Sequence, residues 1–516
     1  MIRADGTGLC SQGMAAQRSA GEADGSLWRG GWGVCFFCFG AVLASVRRGT
    51  QEFMDASKLT SPQDTSGKTH IPRIGVVSLG CPKNLVDSQR LISVLLAKGY
   101  ILENDFNEAD LVIVNTCGFI EPAVQESFEA IYDAKQQCSK VMVMGCMGND
   151  KAAIMEKYPD VVEVIGPGKR AAVLRAVEKA VGEPPAIARQ AVPSSGVLLT
   201  PPHYSYVKIA EGCRHSCSFC IIPDLRGPLR SRHPEQILAE CRDLVSRGVR
   251  ELLLIAQDSS DYGTDLKTGA NLLKLCEELG SLSLRPWVRL HYVYPSKIVD
   301  ELIPLMRDSL ILPYLDVPLQ HASPRILKLM KRPGNIERTY ERIMQWREIC
   351  PDLSIRSNFI TGFPGESDED FAYLLDFIQK AKLDRVGTFP YSDVAGAQAN
   401  SFAGVVPEEV RQERAAELMR LQAEISAQKL AERWGKTFDM IVDTVTEEGA
   451  VIGRTKYEAP DVDGTVMIEE LPENTIVKEG DIIRTKIVDS DEHDMWGEFV
   501  ENITPRTHIP FKIRLS

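Results

Sequence analysis

The sequence predicts an α/β protein of three successive units: an N-terminal parallel-sheet α/β domain, a central partial barrel of six β/α units, and a small all-β barrel. Three observations predict it. Apolar runs of strand length alternate with helical segments in two separate blocks. A proline-rich stretch holding Pro184, Pro185, Pro193, Pro201 and Pro202 parts the blocks. After Gly435 the helical pattern stops, and short β-branched runs separated by Gly, Asp and Glu take over.

In the first block, 72–183, strand-like runs stand at 74–79, 111–115, 141–145 and 161–165, each followed by a helical stretch. Strands alternating with helices call for a parallel sheet with crossover connections. Residues 184–202 read as a linker. The second block, 203–435, has strand candidates at 204–210, 251–256, 287–292, 314–318, 354–360 and 385–389, with helices between them such as 234–247 and 367–382. A helix over 408–434, with few breakers, closes it. The third unit, 436–505, carries runs such as 438–445 and 482–488 and reads as a small barrel; 506–516 is a tail. Residues 1–71 read as a low-complexity extension, unstructured or translated from upstream, with Met54 as the start. The apolar stretch 32–46, followed by Arg47 and Arg48, imitates a signal peptide but lies more than 30 residues into the chain. Cys35 and Cys38 within it read as an accidental pair.

Composition excludes several classes. The chain has 516 residues, 44% of them hydrophobic, which is globular and enough for about three domains. Lys and Arg number 59 against 71 Asp and Glu, so the net charge of −12 has the wrong sign for a surface that wraps nucleic acid. Thirteen cysteines are too few for a disulfide scaffold of this length, and six fall into two ordered sets, which suits metal or redox chemistry in a reducing compartment. No run of about 18 apolar residues exists, so no membrane association is expected and the location expected is cytoplasmic.

The first set is Cys81, Cys117 and Cys146. Each directly follows an apolar strand, in VVSLGC, LVIVNTC and VMVMGC. The carboxyl ends of a parallel sheet share one edge, so three thiols distant in sequence converge on one rim. Three thiolates at one point repel unless a cation holds them, which favours a metal or cluster over three unrelated buried thiols. Cys138, in a helical stretch, breaks the pattern.

The second set, Cys213, Cys217 and Cys220, has Cys-x3-Cys-x2-Cys spacing straight after the first strand of the second block. Three cysteines fill three corners of a four-iron, four-sulfur cube and leave one iron open. S-adenosylmethionine can chelate that iron, and electron transfer into its sulfonium then yields a 5′-deoxyadenosyl radical. The plainer alternative is a zinc site with His215 as fourth ligand; Phe219, beside the third cysteine, and the position after a barrel strand weigh against it. Cys241, Cys276 and Cys350 read as packing residues.

Over about residues 72–505 the chain resembles the radical S-adenosylmethionine methylthiotransferases, a family with an N-terminal cluster domain, a radical-SAM barrel and a C-terminal TRAM domain. The family's Cys-x3-Cys-x2-Cys matches Cys213, Cys217 and Cys220, and its N-terminal cluster ligands match Cys81, Cys117 and Cys146. The segments SLGCPKNLVDS (78–88), YLDVPLQHAS (314–323) and FPGE (363–366) are similar to the branch that acts on an aspartate of small-subunit ribosomal protein twelve; the tRNA-acting branch usually has a GCQMN-type sequence where this chain has GCPKN. The resemblance implies two 4Fe-4S clusters and S-adenosylmethionine as both radical source and methyl donor. It also implies hydrogen abstraction from the aspartate β-carbon and delivery of a methylthio group from the Cys81 side. An electron donor and a sulfur donor are implied as partners.

Supporting residues are expected at strand ends. Gln257 and Asp258 follow the second barrel strand, and Gly362, Gly365 and Glu366 lie in a Gly-rich turn after a later one; each is a candidate for binding S-adenosylmethionine, or an ordinary turn residue. Phe219 joins them as a cofactor-binding candidate, while His291, Gln320 and His321 read as structural. The third unit holds 18 carboxylates, Asp461, Asp463, Glu469 and Glu470 among them, against six Lys and Arg, so its charge alone equals that of the chain. Such a surface repels RNA phosphates and attracts a basic ribosomal protein, so strong nucleic-acid binding is not expected and a monomer is. The rivals are the same chemistry on a tRNA adenosine, and a non-catalytic iron–sulfur electron carrier or scaffold.

Overall fold

The computed structural model describes residues 70–333 and 336–504. The N-terminal extension up to residue 69, with Cys35 and Cys38, and the tail 506–516 lie outside the described residues. Strands β1 (Arg73–Ser78), β2 (Ile101–Leu102), β3 (Leu111–Thr116), β4 (Val141–Gly145) and β5 (Glu163–Ile165) form a parallel sheet in the order β2-β1-β3-β4-β5. Every residue of β3 and β4 is buried, because helices cover both faces. Helices α1 (Pro82–Lys98), α2 (Glu121–Gln137), α3 (Lys151–Lys157) and α4 (Arg170–Val181) supply that cover. The short edge strand β2 is absent from the strand-like runs of the sequence: two residues carry no period.

The linker is ordered. Its Val197 and Leu199 amides donate to Ser93 Oγ and Gln89 Oε1 of α1, at 3.0 and 3.3 Å, and Arg247 holds Ser195 Oγ at 2.6 Å. The second unit is a sheet of six parallel strands in chain order: β6 (Tyr204–Lys208), then, after a break, β9 (Glu251–Ile255), β10 (Trp287–Leu290), β11 (Tyr314–Asp316), β12 (Ser354–Thr361) and β13 (Arg385–Pro390). The first strand is shorter than its apolar run predicts. The chain leaves the sheet at Ile209, and β7 (Ala210–Glu211) pairs antiparallel with β8 (Arg230–Ser231), closing the base of the loop that carries the second cysteine set. Alternation at period 2 gives each strand an outer and an inner face. Val207, Leu252, Leu254, Val288, Leu290, Leu315 and Ile355 face the covering helices, including Glu408–Ala431, in one apolar core with Cys241, Cys276 and Cys350. Tyr204, Glu251, Arg289, Tyr314 and Arg356 take the other face.

The third unit is a closed five-stranded barrel of β14 (Thr437–Val445), β15 (Val451–Thr455), β16 (Val466–Ile468), β17 (Ile482–Ser490) and β18 (Met495–Asn502). It caps the amino ends of the six-stranded sheet through buried charges. Arg454 donates to Glu251 at 2.8 Å and to both oxygens of Asp443 at 2.7 and 2.9 Å. Arg289 completes Glu251 at 2.6 Å, and His203 meets Asp443 at 2.8 Å. The acidic surface expected of this barrel is therefore partly an interior. Asp463 accepts from Tyr314 at 2.6 Å with its side chain 1% exposed, and Asp461 accepts from Tyr206 at 2.9 Å. Glu469 and Glu470 remain exposed.

Two outcomes follow for this junction. Arg454→Met takes one buried cation from a pair of carboxylates and leaves Glu251 with Arg289 alone and Asp443 with His203 alone; it should cost about 3–5 kcal/mol, read as a lower thermal transition of the intact chain. Burial alone would push Asp443 up, but Arg454 and His203 more than offset it and hold the carboxyl at about 2. A depressed carboxyl gives stability that is complete above its unfolded pKa near 4 and is lost as pH falls through about 2. The Asp443 contribution, measured against Asp443→Asn, should therefore persist at pH 5 and vanish near pH 2.

Candidate active site

Because β1, β3 and β4 are neighbours in the sheet, their carboxyl ends bring Cys81, Cys117 and Cys146 to one rim. Cys81 is the N-cap of α1, whose first turn opens with Pro82. Cys117 leaves β3, its amide donating to Ser127 Oγ at 3.1 Å. Cys146 leaves β4 and opens the 3₁₀ turn Cys146–Asn149. Two of the three follow a glycine with positive φ, Gly80 at 82° and Gly145 at 100°. A Cβ on Gly80 would lie 2.8 Å from that of Cys117, and one on Gly145 would lie 2.4 Å from the Thr116 carbonyl oxygen. Only glycine lets the chain turn there and keep the sulfurs close.

Asn84, one turn into α1, ties the rim together: its amide donates to the carbonyls of Leu79 at 3.0 Å and Thr116 at 2.9 Å. Its Oδ1 accepts from Arg226 Nη2. Arg226 lies in α5 (Ile222–Arg226), the short helix after Cys220, and its Nε donates to Cys146 Sγ at 3.2 Å. The same guanidinium reaches Asp87 at 2.9 Å and Glu211 at 3.3 Å; Lys208 binds both of those carboxylates, and Gln257 donates to Glu211 at 2.8 Å. One ionic network thus joins the rim of the first sheet to the loop of the second cysteine set.

That loop is pinned on both sides. The Cys213 amide donates to the Gly227 carbonyl at 3.1 Å, Ser218 donates to the carbonyls of Leu329 and Met330, and the Ala399 amide donates to Ser218 O. His215 stacks on Tyr294, ring centroids 4.0 Å apart, and meets Asp258 at 2.6 Å. Asp258 also accepts from the amide and hydroxyl of Ser260, so it anchors the loop. Phe219 packs with Ile326, Met330, Phe363 and Tyr391, which puts it against the turn at Gly362 and Gly365. Glu366 lies fully buried beneath that turn, accepting from the Gly362 amide at 2.9 Å and from Arg414 at 2.7 Å, with His321 at 3.3 Å. Its carboxylate holds the turn in shape, and the amide of Gly365 is taken by the Gly404 carbonyl at 2.7 Å.

The chemistry of the donor sets suits a polynuclear cation. Burial pushes the Cys117 thiol up to about 12, with the Cys81 and Cys146 thiols adding to the shift, and pushes Cys220 up to about 12 as well. Cys146 and Cys213 are also raised by burial. Such thiols keep their protons at neutral pH unless a cationic centre takes the thiolates. A single zinc ion draws its sulfurs to about 4 Å of one another. Among the described residues, the group with three ligand atoms within 4.8 Å of one another is His215, Asp258 and Asp261, not either triad. His215 is already engaged by Asp258 and Tyr294, which tells against it as a fourth zinc ligand of the second set. Sequence reading missed Asn84, Asp87, Lys208 and Arg226; the one signal for the last was a charged residue six positions beyond Cys220.

Comparison with known proteins bears on this geometry. Residues 73–166 match Uncharacterized protein family UPF0004, residues 207–378 the Radical SAM superfamily, and residues 435–500 the TRAM domain. The ribosomal protein uS12 methylthiotransferase RimO of Klebsiella pneumoniae subsp. pneumoniae is 53% identical over 445 residues, covering 84% of this chain and 99% of the relative. That of Salmonella heidelberg is 52% identical over 448 residues, 84% of this chain and 100% of the relative. Among solved structures, the radical S-adenosylmethionine methyltransferase TsrM from Kitasatospora setae aligns with TM-score 0.46 and 16% identity, covering 62% of this chain and 75% of that one. Fold and site define a radical S-adenosylmethionine enzyme that transfers a sulfur-containing group. The chain belongs to the RimO family of methylthiotransferases.

Gly80→Ala tests the rim. Forcing a Cβ into the left-handed region costs about 1–2 kcal/mol, and the contact with Cys117 adds to it. The variant should bind less iron after anaerobic reconstitution than the wild type while still cleaving S-adenosylmethionine, measured as 5′-deoxyadenosine by chromatography.

Proposed function

We propose that this enzyme methylthiolates the β-carbon of an aspartate in ribosomal protein uS12, using two 4Fe-4S clusters, one held by Cys81, Cys117 and Cys146 and one by Cys213, Cys217 and Cys220. The observation that carries the reading is Arg226, in the helix after Cys220, whose Nε reaches Cys146 Sγ at 3.2 Å and so ties the second cysteine loop to the rim of the first sheet. The names of the close relatives support the target. When bound, the clusters and S-adenosylmethionine supply the radical and the sulfur. The chain's own part is positional. The pinned loop fixes Cys213, Cys217 and Cys220 against the first rim, and the buried walls around them keep out water that would otherwise compete for a reactive species. Gly362, Gly365, Gln257 and Phe219 line the approach for S-adenosylmethionine, with Asp258 acting through His215.

The enzyme works in the cytoplasm as a monomer, drawing on an electron donor and a sulfur donor. No helix among the described residues is long and apolar enough to cross a membrane. The exposed carboxylates of the C-terminal barrel, Glu447, Glu448, Glu469, Glu470, Glu473 and Glu498 among them, favour a basic protein over tRNA.

Replacing Cys81, Cys117 and Cys146 together by Ala should remove about half the iron of the reconstituted protein, on the order of four of eight atoms, and leave cleavage of S-adenosylmethionine. Cys217→Ala should abolish 5′-deoxyadenosine formation. Full iron in the triple variant would sink the two-cluster assignment. Mass spectrometry of ribosomal proteins from a strain lacking the enzyme should show uS12 without its methylthio group. Purified uS12 should bind in a salt-sensitive way and tRNA negligibly, and charge reversal at Glu469 and Glu470 should weaken the first; tight tRNA binding at physiological salt would move the assignment to the tRNA-acting branch.

A further inference from the structure

Lys83 is a buried lysine without an acid. It sits in the first turn of α1, two residues after Cys81, and is 8% exposed. Among the described residues no carboxylate oxygen lies within 4 Å of its ammonium; the nitrogen rests instead on the ring of Tyr292, 3.0 Å from the centroid. Burial pulls its pKa below the ordinary lysine value, against the opposing pull of the Cys81 thiol and, more weakly, of Asp316 and Glu211, and both of these carboxylates are committed elsewhere. Asp316 takes Arg356 at 3.2 Å, His291 Nδ1 at 3.3 Å and the Tyr292 amide at 3.0 Å. Glu211 takes Lys208, Arg226 and Gln257.

A buried cation held only by a ring face is incompletely compensated, since cation–π attraction replaces a fraction of lost hydration. Its surroundings are built to receive something polar. Tyr292 has φ of 58°, a strained conformation for a bulky residue, and its amide bond to Asp316 holds it there. His291, 6% exposed, has Nε2 buried with no partner, and Gln257 Oε1 is likewise unpartnered. Two residues past Tyr292, Tyr294 stacks on His215 of the second cysteine loop. Lys83 therefore stands beside Cys81 and over Tyr292, two residues from the tyrosine that stacks on the second cysteine loop, with the unpartnered His291 Nε2 next to that ring.

We propose that Lys83 determines specificity for the target side chain: its ammonium pairs with the carboxylate of the substrate aspartate and selects it over the isosteric carboxamide. The assignment rests on the reading of uS12 as substrate. An ion pair formed away from water discriminates between charge and dipole far more strongly than an exposed one, and the pair fixes the carbon next to the carboxylate relative to both sulfur sets.

The test uses the full chain, anaerobically reconstituted, with two peptides spanning the target loop of uS12, one with aspartate and one with asparagine at the modified position. Binding is read by fluorescence anisotropy and product by mass spectrometry. The wild type should bind the aspartate peptide at least about tenfold more tightly. Lys83→Met, with iron content equal to the wild type, should bring that ratio close to one, and Lys83→Arg should restore part of it. An unchanged ratio in Lys83→Met, or no preference in the wild type that modifies uS12, overturns the assignment. Iron loss in both Lys83→Met and Lys83→Gln also overturns it, by placing Lys83 with the metal site. A wild type that modifies neither peptide nor whole uS12, yet cleaves S-adenosylmethionine, overturns the substrate reading instead.

Discussion

The guanidinium of Arg226 is the contact on which the geometry of the site depends. It leaves the helix after the second cysteine loop and reaches across to the first rim. There it meets a thiol, an amide oxygen and a carboxylate, at Cys146, Asn84 and Asp87, while Glu211 at the base of its own loop takes it from the other side. Burial opposes its charge, but Cys146, Glu211 and Asp87 more than offset this and hold it protonated throughout. Lys208 supplies the second cation to the same two carboxylates, whose pKa values fall below the ordinary range despite burial. Two cations and two anions close a neutral network. Removing any one member leaves a buried charge unpaired, so the relative placement of the two cysteine sets is enforced by an electrostatic penalty rather than by apolar packing, which tolerates sliding.

The same logic operates at the opposite end of the sheet. The first residues of β6, β9, β11 and β12 turn Tyr204, Glu251, Tyr314 and Ser354 toward the small barrel, which answers with Arg454, Asp461, Asp463 and the Tyr457 carbonyl. An inner face with this many polar groups cannot be closed by an apolar plug without orphaning them. The barrel is thus the floor of the six-stranded sheet as well as an appended module. At the carboxyl end His291 Nε2 and Gln257 Oε1 are left unpartnered, as are His203 Nδ1 and Arg289 Nη2 at the junction with the barrel.

Much of this was legible in the sequence, for a physical reason. A parallel sheet puts every strand's carboxyl end on one edge, so three cysteines at strand ends, Cys81, Cys117 and Cys146, announce their convergence without any knowledge of distance. The period of the apolar runs gave the strands, and the Cys-x3-Cys-x2-Cys spacing the loop. What stayed hidden were long-range polar partners. Arg226 and Asp87 lie 139 positions apart and Tyr314 and Asp463 149 apart, and nothing local distinguishes such residues from solvated surface charge. Charge counting therefore placed Asp463 on an exterior its side chain does not occupy, and it could not show that the carboxylate of the exposed Asp461 is engaged by Tyr206. The turn at Gly362 was visible, but that its glutamate faces inward to Arg414 was not, because the arginine arrives on a helix 48 positions later.

The distribution of charge then separates two tasks that the count of carboxylates had merged. Acids of the C-terminal barrel that face the sheet are consumed in the junction, and those that remain exposed sit beyond the amino ends of the strands, away from the cysteine loops. β6, which leads to the second cysteine loop, is five residues long, so that loop stands about 16 Å from the amino end of the sheet. Exposed charges act over about 8 Å at physiological ionic strength. A carboxylate on the barrel therefore cannot influence which side chain enters between the triads. It can raise the encounter rate of a basic partner and hold it loosely, while groups at the carboxyl end, where low exposure leaves a charge such as that of Arg226 unscreened, act at short range. A partner that engages both ends must reach along the height of the sheet, which an extended protein segment does at about 3.3 Å per residue.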